Sequence, residues 1–332
     1  MRFPISLTTS MTKYLIKNKL LSKDKFPLVL MLEVTHSCNL NCDGCGRIRE
    51  YKDTLNRMMT LDECLSAADE CPAPVVTVTG GETLLHPEIG KIIDGLVHKG
   101  RHIYMCTNGV ILEQSLSKLK PTVNLNINVH IDGLSETHDA IVGQKGVFDV
   151  ATKAIRKAKM SGFRVCTNTT IYKNTDINEI EELFRLLQSI GVDGMLVSPG
   201  FSFEDNNNDV FMNSEETNKK FLSIFNMSKR FRIMSSPLYL RFLKGERSFP
   251  CTPWGNPTRN YHGWKSPCYL ITDKHCATFN ELMDTTDWEK FRLRKDARCK
   301  DCMVHCGVEP TVVLESGKSL RDMMEMAWWN LR

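Results

Sequence analysis

From Pro27 onward two hydrophobic rhythms take turns along the chain. Short unbroken apolar runs, of which PLVLMLEV is the first, have the character of strands buried on both faces. Between them apolar residues recur every three or four positions, the spacing of one helix face. The runs predict further strands at residues 75–79, 102–107, 124–131, 164–171 and 194–198. The periodic stretches predict helices at 61–70, before Gly100, near 111–119, at 147–161 and at 177–190. Thr60 and Glu63 form a capping box for the first of these, and Gly162 and Gly191 stand where the last two stop. Six strand-then-helix units result, and such alternation argues for a parallel sheet with right-handed crossovers. Six units are too few for a closed eight-stranded barrel. The expected fold is therefore α/β, a partial (β/α)6 barrel with its chemistry on loops at the strand C-termini.

Outside this rhythm the pattern changes. Residues 1–26 place Met11, Tyr14, Leu15 and Leu21 near helical spacing among five lysines, which predicts a basic N-terminal helix. Gly200 to Ser214 is polar and Asn-rich and reads as a loop. Helices are expected at 215–229 and 237–244. From Phe249 to Cys306 the sequence is rich in Pro, Gly and Trp and holds six cysteines, a small module expected to be held by something other than a core. The tail SLRDMMEMAWWNLR reads as one amphipathic helix. The division that follows is 1–26, a barrel at 27–214, a Cys-rich module at 215–308 and a C-terminal helix at 309–332.

Composition narrows the function. With 43 basic and 39 acidic residues the net charge is +4, too little to make nucleic acid a partner by default. No signal-peptide pattern opens the sequence, and no apolar run approaches the ~18 residues of a membrane span. Thirteen cysteines in 332 residues is an odd number, so complete intramolecular pairing is impossible. A cytoplasmic chain that spends cysteine this way spends it on metal or redox chemistry.

The chemistry is concentrated in THSCNLNCDGCGR, directly after the first strand, where Cys38, Cys42 and Cys45 form C-x3-C-x2-C. Three thiolates this close can each hold one corner of a cubic iron–sulfur cluster and leave one iron open to a ligand. The competing reading is a zinc site with a distant fourth ligand. At the C-terminal side Cys268, Cys299, Cys302 and Cys306 offer four more soft ligands, with Cys251 and Cys276 to spare. A second iron–sulfur cluster, a structural zinc and unligated thiols are the alternatives there. Cys64, Cys71 and Cys166 sit in helix or strand patterns and read as core residues.

The triplet after the first strand of a six-unit β/α chain resembles the radical S-adenosylmethionine (radical SAM) superfamily. In that superfamily the open iron chelates the methionine moiety of S-adenosylmethionine, and an electron from the [4Fe–4S] cluster releases a 5′-deoxyadenosyl radical. A Gly-Gly-Glu stretch follows the second strand in the superfamily, and Gly80, Gly81 and Glu82 stand directly after VVTVT here. The glycines would let backbone approach the ligand, and the carboxylate suits the methionine ammonium. Polar residues at other strand ends fit the same plan as cofactor or substrate ligands: His130 and Asp132 after strand four, Asn168 in strand five and Ser198 in strand six. The C-terminal cysteines resemble the auxiliary-cluster modules appended to many members.

The whole chain further resembles the adenosylhopane synthase family of hopanoid biosynthesis. FPLVLMLE, CDGCG, the CTN of strand three, VHIDG, VDGMLVSPG, CTPWGNPTRN, PCYL and CMVHCG carry the likeness. Gly44 before the third cysteine, where many radical SAM enzymes place an aromatic, agrees with it. The resemblance implies addition of the adenosyl radical to the alkene of diploptene, with Cys106 as hydrogen-atom donor to the product radical. It also implies a low-potential electron donor such as ferredoxin or flavodoxin. Because the alkene lives in bilayers, it implies peripheral contact with a membrane, for which the N-terminal helix and Met326, Trp328 and Trp329 are candidates.

Two stretches depart from the family: EVTHSC, with His36 and Ser37, and the polar strand five, TNTTIYKN. They leave open a paralogue that adenosylates another alkene. A peptide-modifying enzyme is expected to need a docking domain before the barrel, and a non-enzymatic iron–sulfur protein is expected to close both Cys sites without binding S-adenosylmethionine.

Overall fold

A computed structural model describes residues 1–46, 50–202 and 209–331. The six expected strands are present as β1 (Val29–Thr35), β2 (Val75–Gly80), β3 (His102–Thr107), β4 (Leu125–His130), β5 (Arg164–Ile171) and β6 (Gly194–Pro199). Each pairs in parallel with the next, as a partial barrel of α/β type requires. The helices Leu61–Glu70, Ile89–His98, Val147–Met160 and Ile177–Ile190 cover one face. Leu30, Leu32, Val76, Val78, Ile103, Leu125, Ile127 and Val129 meet them and are fully buried. Burying each such side chain stabilises the fold by roughly 1.5–3 kcal/mol. The Thr60–Glu63 capping box forms as the sequence predicts, with both reciprocal hydrogen bonds. Gly191 takes a left-handed φ of 83° to end its helix.

Along β4 the odd positions Leu125, Ile127 and Val129 face the helices, so Asn126, Asn128 and His130 fall on the opposite, inner face. This alternation puts a polar layer inside the barrel. It is the structural origin of the site described below.

Three expectations are corrected. The Cys-rich C-terminal segment 249–306 is present as an extra unit, but a buried core holds it. It supplies β7 (Thr258–Asn260), β8 (Gly263–Pro267) and β9 (Thr272–Cys276), which extend the sheet beyond β1. β7 pairs in parallel with β1, and β8 and β9 follow antiparallel. Trp264 is completely buried, and Trp254 and Trp288 join the same core. Strands of three and five residues set among Gly and Pro carry too little periodicity to be read in advance. Second, the division at 308/309 cuts the helix His305–Ser316. Pro310 lies inside this helix, and its ring packs onto Gly255, where a Cβ would stand 2.5 Å from the Pro310 Cβ. Third, the helix Ser135–Val142, only eight residues long, went unanticipated. Residues 203–208 of the Asn-rich loop lie outside the described residues.

The helix Ile5–Leu20 follows Arg2, whose carbonyl accepts at 3.5 Å from Arg164, the first residue of β5, which sets this end of the chain at the N-terminal ends of the strands. Tyr14 of this helix packs edge-on against Phe26, and Arg2 just before it donates to the Ile233 carbonyl at 3.0 Å. The last helix, Leu320–Leu331, meets this end: Trp329 lies edge-on to Phe3, and the Asn330 side chain donates to Thr8.

Candidate functional site

The Cys38–Cys42–Cys45 loop leaves β1 and is laced sideways to the end of β2. Gly81 N–H donates to the Thr35 carbonyl at 2.8 Å, and Glu82 N–H to the Ser37 carbonyl at 2.7 Å. That lacing is why two glycines are needed. A Cβ on Gly81 would stand 2.5 Å from the Ser37 carbonyl carbon and 2.9 Å from the His36 oxygen, and Gly80 has a φ of +136°. The glycines therefore let the triplet loop lie against β2. From the other side Leu40, Cys38 and Cys42 pack on Val142 and Val147, so the unanticipated helix supports the loop.

Glu82, expected from the resemblance to take the methionine ammonium, is engaged by donors of the chain itself. The side chain is fully buried, and one oxygen accepts from Leu84 N–H at 3.0 Å and the Thr107 hydroxyl at 2.8 Å. The other accepts from Asn108 N–H at 2.7 Å. Burial raises its pKa and these donors oppose the rise. Glu82 thus positions the end of β3 against the triplet loop. Asn108, held by it, reaches Asn39 at 2.7 Å and Cys38 Sγ at 4.0 Å.

The three thiols are half-buried. Burial pushes Cys38 and Cys42 up; Cys45 and Cys38 add to the rise at Cys42, as does Asp132 from the end of β4. Among the described residues no three His, Cys, Asp or Glu side chains close to the spacing of a single metal ion. A donor set of three soft thiols on one loop, electrostatically coupled but not closed on one point, fits a cubic cluster.

Cys106 lies on the inner face of β3, in register with Asn128 of β4. Asn128 Nδ2 donates to its Sγ at 3.8 Å, while among the described residues the buried Asn128 Oδ1 has no hydrogen-bond partner. Burial pushes the Cys106 thiol up to about 11, so it is S–H at neutral pH. His130 and Asp132 form a pair at 2.7 Å. Burial pulls the imidazole pKa down, but the carboxylate outweighs it and the net shift is upward. Asp132 also accepts from Thr170 N–H at 2.7 Å and donates its own N–H to His138 Nδ1 at 3.2 Å. Asn168 is the register partner of His130, and Ser198 that of Thr170, so both stand on the same wall.

Two contributors escaped the sequence reading. Asn128 was signalled by the alternating Asn-x-Asn-x-His of β4. Tyr172 had no such signal: from the end of β5 its ring reaches Gly44, where a Cβ would stand 2.7 Å from ring carbons Cε1 and Cζ. An aromatic therefore does lie beside the third cysteine, delivered by another strand.

Beside the triplet loop opens a cavity of about 500 Å³. Tyr51 and Thr54 line it from β1's side, Phe201 and Ser202 from the end of β6, and His262, Leu270, Ile271 and His275 from the C-terminal strands. His36, one of the two departures, stacks on Tyr51 at 3.8 Å between ring centres and hydrogen-bonds Thr54 at 3.1 Å. Behind them the buried Glu33 accepts from Tyr51 and from Asn260 at 3.0 and 3.2 Å. Burial pushes His275 down to about 4 and lowers His36 as well.

Cys268, Cys299, Cys302 and Cys306 come together around Leu270, Ile271 and Val304. Cys251, which the sequence reading left spare, joins them. Its Sγ stands 2.5 Å from where a Gly307 Cβ would be, and burial with the charges of Cys302 and Cys268 raises its pKa. Cys276 is buried on β9.

This arrangement of six parallel strands, thiol triplet and Gly-Gly-Glu lace is that of a radical SAM domain, and residues 32–187 match the model of the radical SAM superfamily. Residues 195–326 match a domain of unknown function, DUF3463. A domain of this superfamily takes a [4Fe–4S] cluster and S-adenosylmethionine. Fe-coproporphyrin III synthase of Methanosarcina barkeri is 29% identical over 171 residues, covering 50% of this chain and 42% of that protein. GTP 3′,8-cyclase of Clostridium perfringens is 27% identical over 206 residues, 58% of this chain and 64% of that one. The chain spans about half the length of the curated relatives it matches. Among solved structures, Streptococcus suis SuiB bound to S-adenosylmethionine is similar with a TM-score of 0.67 at 14% identity, over 92% of this chain and 78% of that chain. That likeness is one of fold alone. No helix of the described residues is long and apolar enough to cross a membrane.

Proposed function

We propose that the chain is a radical SAM enzyme that joins the 5′-deoxyadenosyl group to the alkene of diploptene, giving adenosylhopane. The observation that carries this reading is Cys106: a half-buried thiol, kept as S–H, on the inner barrel wall and two residues from the Asn108 that touches Cys38. Cys38, Cys42 and Cys45 would hold the cluster, which when bound supplies one electron to the sulfonium and releases the adenosyl radical. His130, Asp132, Asn168 and Ser198 line the wall on which S-adenosylmethionine would rest, with Tyr172 beside Gly44 against the adenine.

Addition of the radical carbon to the terminal alkene carbon forms one C–C bond and leaves a tertiary carbon radical. Cys106 gives that carbon its hydrogen atom, since a thiol S–H is weaker than the C–H formed. The thiyl left behind takes up one electron and one proton. The two electrons of a turnover are assigned to a donor such as ferredoxin or flavodoxin. Asn128 holds the thiol toward the acceptor, and Glu82 holds the β3 end that carries it. Cys268, Cys299 and Cys302, with Cys251 or Cys306, would hold a second cluster.

Anaerobic reaction with S-adenosylmethionine, reductant and diploptene in detergent, followed by mass analysis, tests the reading. An adenosyl adduct supports it, and free 5′-deoxyadenosine alone counts against diploptene. Cys106→Ala is expected to lower the saturated adduct at least tenfold while 5′-deoxyadenosine still forms. Normal yield would remove Cys106 from the mechanism.

One observation favours a second reading, a paralogue with another isoprenoid alkene. His262, His275, Thr54 and Ser202 make part of the cavity wall polar, and the departing residue His36 stands behind it. A hydroxylated acceptor would suit that wall better than a pure hydrocarbon. Competition between diploptene and a hydroxylated hopene in the same assay separates the two. Either acceptor resides in a bilayer, so the reading includes peripheral contact with a membrane.

A further inference from the structure

The positive charge of the chain is not spread over it. Residues 1–25 hold six of the 43 basic residues and one of the 39 acidic ones, so this segment carries +5 and the remaining chain −1. Among the described residues none of Lys13, Lys17, Lys19 and Lys23 pairs with a carboxylate, whereas lysines elsewhere, such as Lys99, Lys120 and Lys159, do.

The same helix turns apolar residues outward. Leu7 and Asn18 are buried against the barrel, while Ile5, Ile16 and Leu20 are exposed by 68, 54 and 79%. At 100° per residue these three fall within about 60° of one another, and Lys13 and Lys17 border one side with Lys19 on the other. Lys13, Ile16, Lys17, Leu20 and Leu21 line a shallow groove. The last helix adds a second apolar face. Leu320, Met324 and Leu331 are exposed by at least 60%. The two helices touch where Asn330 donates to Thr8, beside Ile5 and Leu331, so the faces adjoin. Met326 and Trp329, two of the residues expected to make such a contact, turn inward instead: Met326 packs on the core, and Trp329 donates to the Ile233 carbonyl at 3.3 Å.

We propose that this double-helix surface docks on an anionic lipid bilayer, with Ile5, Ile16 and Leu20 entering the interface and Lys13, Lys17 and Lys19 facing the headgroups. Unpaired cations bordering an exposed aliphatic line suit a surface that is negative outside and apolar beneath. A second copy of this chain would bring the same positive charge to the contact and so be repelled. The docked surface lies at the N-terminal ends of the strands, opposite the thiol triplet, and leaves the triplet end open to an electron donor. The inference deepens the membrane contact of the proposed function but does not rest on which alkene is the acceptor.

The test is co-sedimentation of the full chain with vesicles of phosphatidylcholine alone and of phosphatidylcholine with phosphatidylglycerol, without S-adenosylmethionine or reductant. Binding is expected only to the anionic vesicles and is expected to weaken as salt shortens the Debye length from about 10 Å to about 3 Å. Lys13→Glu with Lys17→Glu is expected to lower affinity about 30-fold or more, from two headgroup attractions lost. Ile16→Glu with Leu20→Glu is expected to lower it as strongly with an unchanged melting temperature, because both side chains are already in water. Lys145→Glu with Lys157→Glu, the same charge change on exposed lysines elsewhere, is expected to keep binding within a few-fold. Absence of binding to anionic vesicles overturns the proposal. So does an equal loss from the Lys145/Lys157 pair, or a dimer in light scattering that Ile16→Glu with Leu20→Glu converts to monomer. Adenosylation is assayed in detergent, so failure of docking and failure of the proposed reaction are read separately.

Discussion

Gly81→Ala isolates what the Gly-Gly-Glu stretch does. The added Cβ would stand 2.5 Å from the Ser37 carbonyl carbon and 2.9 Å from the His36 oxygen. Ordinary contact between such atoms is about 3.5 Å, so Ser37 must retreat by roughly 1 Å. Those are backbone atoms one and two residues before Cys38, and no rotamer change can relieve them. Retreat loosens the Gly81–Thr35 and Glu82–Ser37 hydrogen bonds, now 2.8 and 2.7 Å, at about 1 kcal/mol each. Overpacking adds about 1–3 kcal/mol, which brings the local cost to about 3–5 kcal/mol. The loop meets that cost by moving Cys38, because its other anchors at Leu40 and Val142 are contacts that can slide. After anaerobic reconstitution, the variant is expected to keep its far-ultraviolet dichroism and the iron of the C-terminal thiols. Iron at the triplet should fall by more than half. A Gly81→Ala protein with native iron content and native melting temperature would refute the argument that the glycines serve the lace between β2 and the triplet loop.

Two further outcomes follow from particular contacts. His138 is buried with Nδ1 accepting the Asp132 N–H, and burial with the nearby His130 pushes it down to about 4. A folded pKa below the unfolded ~6.5 means the unfolded chain binds the extra proton, so its contribution is present at pH 7 and is lost as pH falls toward 4. Linkage puts the loss at about 2 kcal/mol by pH 5. Urea unfolding at both pH values should show a smaller drop in His138→Asn, and an equal drop would remove His138 as its source. Cys251→Ser is expected to lower iron bound by the C-terminal thiols while the triplet's S-adenosylmethionine cleavage persists. Unchanged iron in that variant, with loss in Cys306→Ser, would assign the fourth ligand to Cys306.

What the sequence makes legible follows from the range of the physics involved. The thiol triplet, the capping box and the glycine helix stops act within a few residues, so spacing alone exposes them. The strands β1 to β6 show because each is a run long enough to carry an apolar pattern. β7 and β8 are three and five residues long; pairing with β1 across more than 200 positions makes β7 a strand, and β8 then pairs with β7. No local rule reaches that far. The same limit explains Cys251, whose neighbours Cys268 and Cys302 are set by how β8 and the helix His305–Ser316 pack.

Glu82 and Gly44 show the limit inside the site itself. A carboxylate beside the triplet invites a ligand role, yet which way it points depends on three donors from the Glu82–Asn108 neighbourhood, fixed only once β2 and β3 are in register. Gly44 in sequence is the absence of an aromatic. In the fold it is the space Tyr172 needs, and a side chain there would displace the ring. A glycine that reads locally as a missing contact can therefore be the mark of a contact made from elsewhere. The residue that fills the space becomes visible only when both strands are placed.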